Sequence, residues 1–168
     1  MRRFIFALLP ALLIAALCFI PSGSRASSVP TLLRVAQRTV YKTYTNARYA
    51  YSISYPANLL VPQGEADNGD GQAFRSRDGA AEMRVYGSQD LGGGLAEAYR
   101  EAQSGKNVTY KTLKRNWFVV SGTEGGKIFY QKTMFRNDVF KTFTIEYDES
   151  RKGTYDAVTA RIAQSFTG

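Results

Sequence analysis

Acidic and amide side chains alternate with glycines in residues 64–72, which read GEADNGDGQ. Among them are Glu65, Asp67, Asn68 and Asp70. A calcium loop of the helix-loop-helix type needs ligands at positions one, three and five, glycine at six and glutamate at twelve. With Gly71 at position six, position one is Ala66 and position twelve is Arg77, and neither can bind calcium. A looser oxygen site stays an alternative.

We therefore interpret this stretch as an exposed turn, because Asn-Gly and Asp-Gly supply the positive φ angles that turns require. Three of its side chains form a possible contact loop for a partner: Asp67, Asn68 and Asp70. We predict no metal site and no cofactor.

The residue types exclude several classes of enzyme. The chain has no histidine, which excludes a Ser-His-Asp triad and histidine metal ligands. Its one cysteine, Cys18, lies in the apolar run near the N-terminus. A carboxylate pair could hydrolyse glycosides, and a Ser-Lys dyad is equally possible, but no spacing marks either. The carboxylates considered are Glu82, Glu97, Glu101, Asp138 and Glu146. We predict no catalytic residues.

Basic and aromatic residues are mixed in the stretch YKTLKRNWF, around a predicted hairpin turn. The candidate binding residues are Tyr110, Lys111, Lys114, Arg115 and Trp117. Such a mixture can stack on sugars or on the charged side chains of a partner. The alternative is that the aromatic rings pack at the edge of the core while the lysines face solvent.

The N-terminus has the pattern of a secretory signal. Arg2 and Arg3 precede an apolar run over residues 4–20, and Ser24 and Ala26 fit the small-x-small cleavage pattern. We predict a signal peptide over residues 1–26; an uncleaved anchor is the alternative. The remaining chain has 19 basic and 14 acidic residues, a net charge of +5, which favours anionic surfaces. We expect the protein to be periplasmic or secreted, and nucleic acid is disfavoured as a partner.

Residues 27–46 are expected to be an N-terminal segment or tether: the part from Pro30 to Val40 could form a short helix, and residues 39–45 could equally be a strand or a tether. A single α+β domain is expected over residues 47–168. Alternating tyrosines predict a strand that ends at Pro56. A connector to Gly71 follows, and Asp78-Gly79 predicts a hairpin with a tight primed turn.

The second half of the domain predicts a helix up to Gly105, a four-strand meander and a final helix. The central strands carry apolar side chains on both faces, so both faces of the sheet must be covered. One cover is the apolar stripe of the final helix, at Tyr155, Val158, Ile162 and Phe166. The helix before the meander can cover the other face.

This order of elements, the aromatic strand ending in Tyr55-Pro56 and the terminal Ser165-Phe166 resemble the PsbP-like superfamily, named for an extrinsic subunit of photosystem II. The turn at residues 68–71 is also similar to that of uncharacterised exported bacterial members. The resemblance implies an α-β-α sandwich around a central antiparallel sheet of about six to seven strands. It also implies a binding or assembly role, and it offers no catalytic residues to carry over.

The function these observations favour is a non-enzymatic secreted or periplasmic binding and assembly module at the cell envelope. Its partner would be an envelope protein, an anionic lipid or a glycan. The alternatives are a small envelope hydrolase that uses paired carboxylates, and an envelope inhibitor or immunity factor for a toxin. Fold resemblance by itself does not choose between them.

Overall fold

The computed structural model describes residues 39–168. The predicted signal peptide and residues 27–38 of the N-terminal segment lie outside the described residues. Within these residues the structure has nine strands and two α-helices, with a short 3-10 turn (Glu149–Arg151) before the second helix: β1 (Tyr41–Asn46), β2 (Tyr51–Pro56), β3 (Val61–Glu65), β4 (Gly71–Arg75), β5 (Ala81–Gln89), α1 (Gly94–Glu101), β6 (Asn107–Leu113), β7 (Trp117–Glu124), β8 (Lys127–Arg136), β9 (Val139–Asp148) and α2 (Lys152–Ser165).

Seven of the strands form one antiparallel sheet in the order β3-β4-β5-β9-β8-β7-β6. The predicted meander is confirmed as β6 to β9. Its last two turns are short because both central residues have positive φ: Gly125 and Gly126 in one, Asn137 and Asp138 in the other. Turns of this kind match the twist of neighbouring strands. The sheet confirms the predicted fold class.

The predicted hairpin at Asp78-Gly79 is present as β4 and β5, but the predicted turn type is wrong. Only Gly79 has a positive φ, at 72°, whereas a primed two-residue turn requires it at both central positions. The backbone N–H of Gly79 donates to the carbonyl oxygen of Ser76 at 3.1 Å, so the turn begins earlier in the chain. The carboxylate of Asp78 accepts from the Ala80 N–H at 3.2 Å and supports this wider loop.

The first two strands form a separate two-stranded sheet. Of the alternatives for residues 39–45, the structure shows a strand: β1 pairs with β2 along its whole length and lies ahead of residue 47, where we expected the domain to begin. The predicted connector before Gly71 also contains a strand, β3. Pro62 is tolerated there because β3 is the edge of the large sheet, where a missing backbone donor breaks no ladder.

The larger hydrophobic core lies between one face of the sheet and a layer made of α2 and the β1–β2 hairpin. The predicted apolar stripe is buried in this core: Tyr155, Val158 and Ile162 lie in α2, and Phe166 directly follows the helix in an extended conformation. They pack against alternate residues of the strands, among them Phe74, Met83, Val85, Phe143 and Ile145. We call this side of the sheet the α2 face.

The smaller core lies on the opposite side, which we call the α1 face. Leu95, Ala98 and Tyr99 of α1 pack on Phe118 and Val120. Helix α1 covers only the β6–β8 part of this face. On β5 and β9 the same face carries polar side chains, so the expectation of two fully covered faces is confirmed for half of the sheet only. These side chains are Glu82, Arg84, Tyr86, Thr142, Thr144 and Glu146.

Candidate functional site

An open groove of about 530 Å³ lies on the α2 face, where the sheet extends beyond helix α2. Three neighbouring strands supply its floor, because residues two apart on a strand share a face and the antiparallel register aligns them. Its lining residues are Tyr110, Trp117, Val119, Tyr130, Lys132, Met134, Ala163 and Gln164. Among these described residues there is no Asp or Glu, so the groove is aromatic and basic.

Lys132 is the charged group of the groove. It is half-buried, and its Nζ donates a hydrogen bond of 2.8 Å to the carbonyl oxygen of Ala163 in the last turn of α2. Burial lowers the pKa of Lys132 from its usual value. Burial also raises the pKa of Tyr130 to about 12, with a smaller contribution from Tyr110. At neutral pH the tyrosine is therefore uncharged, and the groove favours an apolar ligand with an anionic group.

The turn between β6 and β7 forms one end of the groove. The backbone N–H of Lys114 donates to the carbonyl oxygen of Trp117 at 2.8 Å and closes the turn. Lys114 and Arg115 are exposed at its tip. Leu113 projects on the α1 face and is 44% exposed.

The structure brings together part of the predicted binding set. Tyr110 and Trp117 line one groove, and Lys114 and Arg115 lie beside it at the turn. Lys111 is on the α1 face instead, where its Nζ donates to Oε1 of Gln103 at 2.9 Å. Tyr110 is 57% exposed, so it does not pack into the core as the alternative interpretation required. Whether these residues bind a ligand stays a prediction.

The predicted contact loop is the turn between β3 and β4. The side chain of Asn46 in β1 is hydrogen-bonded to this turn. This side chain is fully buried, and its Nδ2 donates to Oε1 of Glu65 and to the carbonyl oxygen of Gly69, each at 2.9 Å. Tyr44 donates a further hydrogen bond of 2.9 Å to Glu65. Within residues 39–168, there is no group of three or more Asp, Glu, His or Cys side chains that could hold a metal ion.

The contact loop itself is internally bonded. Nδ2 of Asn68 donates to Oδ2 of Asp70 at 2.8 Å, and the backbone N–H of Asp70 donates to Oδ1 of Asn68 at 3.2 Å. Asp67 is exposed. These residues therefore form an ordered turn. A contact role for Asp67, Asn68 and Asp70 stays a prediction.

Of the five carboxylates considered for hydrolysis, Glu97 and Glu101 lie one turn apart on α1 beside another cleft, and Glu82 and Glu146 face each other across strands. Glu82 and Glu146 are cross-strand partners in an open cleft of about 830 Å³ on the polar half of the α1 face. Burial acts to raise the pKa of Glu82, but hydrogen bonds from Arg84 and Arg75 outweigh it and hold the pKa below its usual value. Glu82 is therefore ionised at neutral pH, whereas a general acid in glycoside hydrolysis needs a raised pKa.

No protein-family model matches the chain, and no curated protein matches it either. The solution structure of cyanobacterial PsbP (CyanoP) from Synechocystis sp. PCC 6803 is similar, with a TM-score of 0.57 and 15% identity, over 79% of this chain and 95% of that one. The described domain has the PsbP-like fold. A crystal structure from Bacteroides thetaiotaomicron also aligns, at 10% identity and a TM-score of 0.47, over 76% of this chain and 48% of that one.

The PsbP-like fold positions residues that the sequence analysis missed. Tyr130, Lys132 and Met134 join the groove from β8, and the alternation of that strand could have placed them on one face. The pairing of β8 with β7 was needed to bring them beside Trp117. Asn46 was also missed, since no sequence signal links it to a turn about twenty residues later. In the part of the chain that the structure describes, no helix is long and apolar enough to cross a bilayer.

Proposed function

We propose that this protein is a non-enzymatic binding and assembly module of the cell envelope, secreted or periplasmic, that docks its partner through the groove on the α2 face. The observation that carries the proposal is the groove lining, in which Tyr110 and Trp117 lie beside Lys132 without a carboxylate. Aromatic rings that are partly exposed offer large contact area at a low entropic cost, and they are frequent anchors at binding surfaces.

The hydrolase alternative draws on the cross-strand pair of Glu82 and Glu146. Its weakness is the ion pairing of Glu82, which Arg75 contacts at 2.8 Å and Arg84 also contacts. A carboxylate held by two guanidinium groups is a poor proton donor at neutral pH. The inhibitor or immunity alternative is a special case of the binding role, with a protein toxin as the partner.

Trp117 makes the proposal directly testable, because it is the only tryptophan in the chain. Its emission reports on the groove without a label. We would titrate the chain from residue 27 onward with anionic lipid vesicles, with cell-wall glycan, and with envelope proteins whose own tryptophan has been replaced by non-fluorescent 4-fluorotryptophan. We expect one of these classes to shift the Trp117 emission, with no loss of mass from the glycan.

Two single substitutions locate the site while keeping the reporter. Tyr110→Ser changes the groove and should weaken binding about tenfold, since an aromatic anchor of this size contributes more than 1 kcal/mol. Tyr86→Ser is the matched control, because Tyr86 is 37% exposed on the α1 face. The proposal fails if no class changes the emission of Trp117, or if the glycan is cleaved and Glu82→Gln abolishes the cleavage.

A further inference from the structure

The positive charge of this protein is concentrated in one stretch of the chain. Residues 102–137 contain seven Lys and Arg residues and one acidic residue, Glu124, for a net charge of +6. The rest of the chain after residue 26 has 12 basic and 13 acidic residues, a net charge of −1. The net positive charge of the chain after residue 26 therefore lies in the turn that follows α1 and in strands β6 to β8.

The end of the β6–β7 hairpin combines this charge with apolar side chains on both of its faces. Tyr110 and Trp117 lie on the α2 face, and Leu113 lies on the α1 face. Between them, Lys114 and Arg115 are exposed at the tip. In residues 39–168 neither of these two side chains forms an ion pair, so their charges are available to a ligand.

Apolar side chains on both faces of one turn fit a membrane interface better than a folded protein. A bilayer interface can contact both faces of the turn at once, whereas a protein partner contacts mainly one face. Tyrosine and tryptophan rings favour the headgroup level of a bilayer, because one end of each ring system is apolar and the other is polar. Lysine and arginine beside them attract anionic headgroups.

The β6–β7 hairpin is less suited to binding an extended peptide than to binding a membrane. Strand β6 is an edge of the large sheet, which in principle could pair with an added strand. However, the register between β6 and β7 shifts between Val108 and Tyr110, so β6 carries a bulge at Thr109. Bulges interrupt the ladder and are one of the ways in which sheet edges avoid further pairing.

We propose that the end of the β6–β7 hairpin, formed by Tyr110, Leu113, Lys114, Arg115 and Trp117, docks the protein on an anionic phospholipid bilayer. The aromatic and leucine side chains enter the headgroup region, and the two basic side chains contact lipid phosphates. This inference rests on the proposed function and names a ligand for a surface that shares Tyr110 and Trp117 with the groove. It requires no chemical change in the lipid.

The test uses the chain from residue 27 onward, which avoids the apolar run near the N-terminus. Both hydrophobic cores are formed by residues 39–168, so this chain retains them. We would measure Trp117 emission and co-sedimentation with two kinds of vesicle: phosphatidylcholine alone, and the same lipid with about a third phosphatidylglycerol. Raising the salt from about 0.1 M to about 1 M then tests the electrostatic part.

We expect a blue shift of Trp117 emission and co-sedimentation with the anionic vesicles only, both weakened by salt. Lys114→Gln with Arg115→Gln should reduce the affinity about 30-fold, because each basic residue near an anionic surface contributes roughly a fivefold factor. The matched control is Lys42→Gln with Arg77→Gln, which removes the same charge from two exposed positions outside the hairpin. The control should stay within about twofold of the unmodified chain.

Leu113→Ser tests the apolar part and should weaken binding about tenfold at constant charge. Circular dichroism and a cooperative thermal transition establish that each variant is folded before its affinity is compared. Soluble polyglutamate serves as an acidic peptide probe. The inference is overturned if polyglutamate shifts Trp117 as strongly as the vesicles do, or if the hairpin variants bind the vesicles as well as the control does.

The experiment also separates this inference from the proposed function. If the vesicles leave Trp117 unchanged while a cell-wall glycan or an envelope protein shifts it, the bilayer is the wrong ligand and the binding function stands. If none of these classes changes the emission of Trp117, both proposals fail together.

Discussion

Asn46 is the single side chain whose loss should most clearly separate the β1–β2 hairpin from the turn between β3 and β4. Its amide makes two hydrogen bonds across this junction and a third within the β1–β2 hairpin. Nδ2 donates to Glu65 and to the Gly69 carbonyl, each at 2.9 Å, and Oδ1 accepts from the Tyr49 N–H at 2.8 Å. Because Asn46 is fully buried, Asn46→Ala removes its hydrogen bonds and leaves a space where the amide was.

The expected cost follows from the number of bonds. Each buried hydrogen bond contributes about 1 kcal/mol net, and a partner left unsatisfied adds to the loss. We expect Asn46→Ala to lower the free energy of unfolding by about 3 kcal/mol. With a urea dependence of about 2 kcal/mol per molar, the midpoint of unfolding should fall by about 1.5 M.

The measurement is equilibrium urea unfolding followed by Trp117 emission and by far-UV circular dichroism. Asn107→Ala is the matched control, because Asn107 is exposed and its Nδ2 makes one hydrogen bond of 3.1 Å to Thr123. This control should cost less than about 0.5 kcal/mol. If Asn46→Ala lowers the free energy of unfolding no more than Asn107→Ala does, the Asn46 amide does not hold the β1–β2 hairpin against the β3–β4 hairpin.

Asn46→Asp adds a pH signature to the same site. The substitution keeps one acceptor for Tyr49, but it places a second carboxylate oxygen against Glu65. Repulsion and burial must raise the pKa of the introduced carboxyl in the folded state above its unfolded value. The destabilisation is therefore full above the folded pKa and diminishes as the pH falls through it. A penalty that does not change between neutral and acidic pH would contradict this.

Three further outcomes follow from the packing and charges. Phe118→Ala should cost about 3–5 kcal/mol in urea unfolding, because Phe118 is fully buried under α1; a cost near 1 kcal/mol would mean that α1 does not seal this core. Gly122→Ala should destabilise by more than about 2 kcal/mol, since a Cβ there would lie 2.0 Å from the Asn107 carbonyl oxygen; a neutral effect would refute the close approach of β6 and β7. The pKa of Asp156 is lowered, first by its hydrogen bond from Lys152, so its contribution is present above the unfolded pKa and is lost as the pH falls through the folded pKa. Asp156→Asn should therefore make thermal stability less sensitive to acid, and an unchanged acid slope would contradict the assignment.

The sequence determined the elements whose signals are local. The apolar residues of the final helix recur at helical spacing, although Phe166 lies just past its end, and the strands of the meander alternate with short turns, so both elements were predicted and are present. Periodicity of this kind needs only neighbouring residues, because it reflects which side of one element faces the core. Tyr110 and Trp117 were also recognised from a single short stretch, since they flank one turn.

Strand β3 shows what local signals miss. Its five residues include Pro62 and Gly64, both unfavourable in strands, and most of it is exposed. It is a strand because β4 supplies its hydrogen-bond partners at the edge of the sheet. The strand at Tyr41–Asn46 was equally undecided in the sequence, and its pairing with β2 settles it. Strand pairing is a long-range property, so neither segment could be assigned from its own residues.

The candidate site also has residues that the sequence predicted and residues that only the tertiary structure revealed. The sequence supplied the basic and aromatic residues of the β6–β7 hairpin, but it placed Lys111 with them, whereas the strand's alternation turns that side chain to the opposite face. Only the tertiary structure brought Lys132 and Tyr130 beside Trp117, and only the limited reach of α1 left Glu82 facing an open cleft. The residue types of this protein thus determined which side chains could meet a ligand. The register between strands and the reach of each helix decided which of them share a surface, because both depend on contacts between residues far apart in the chain.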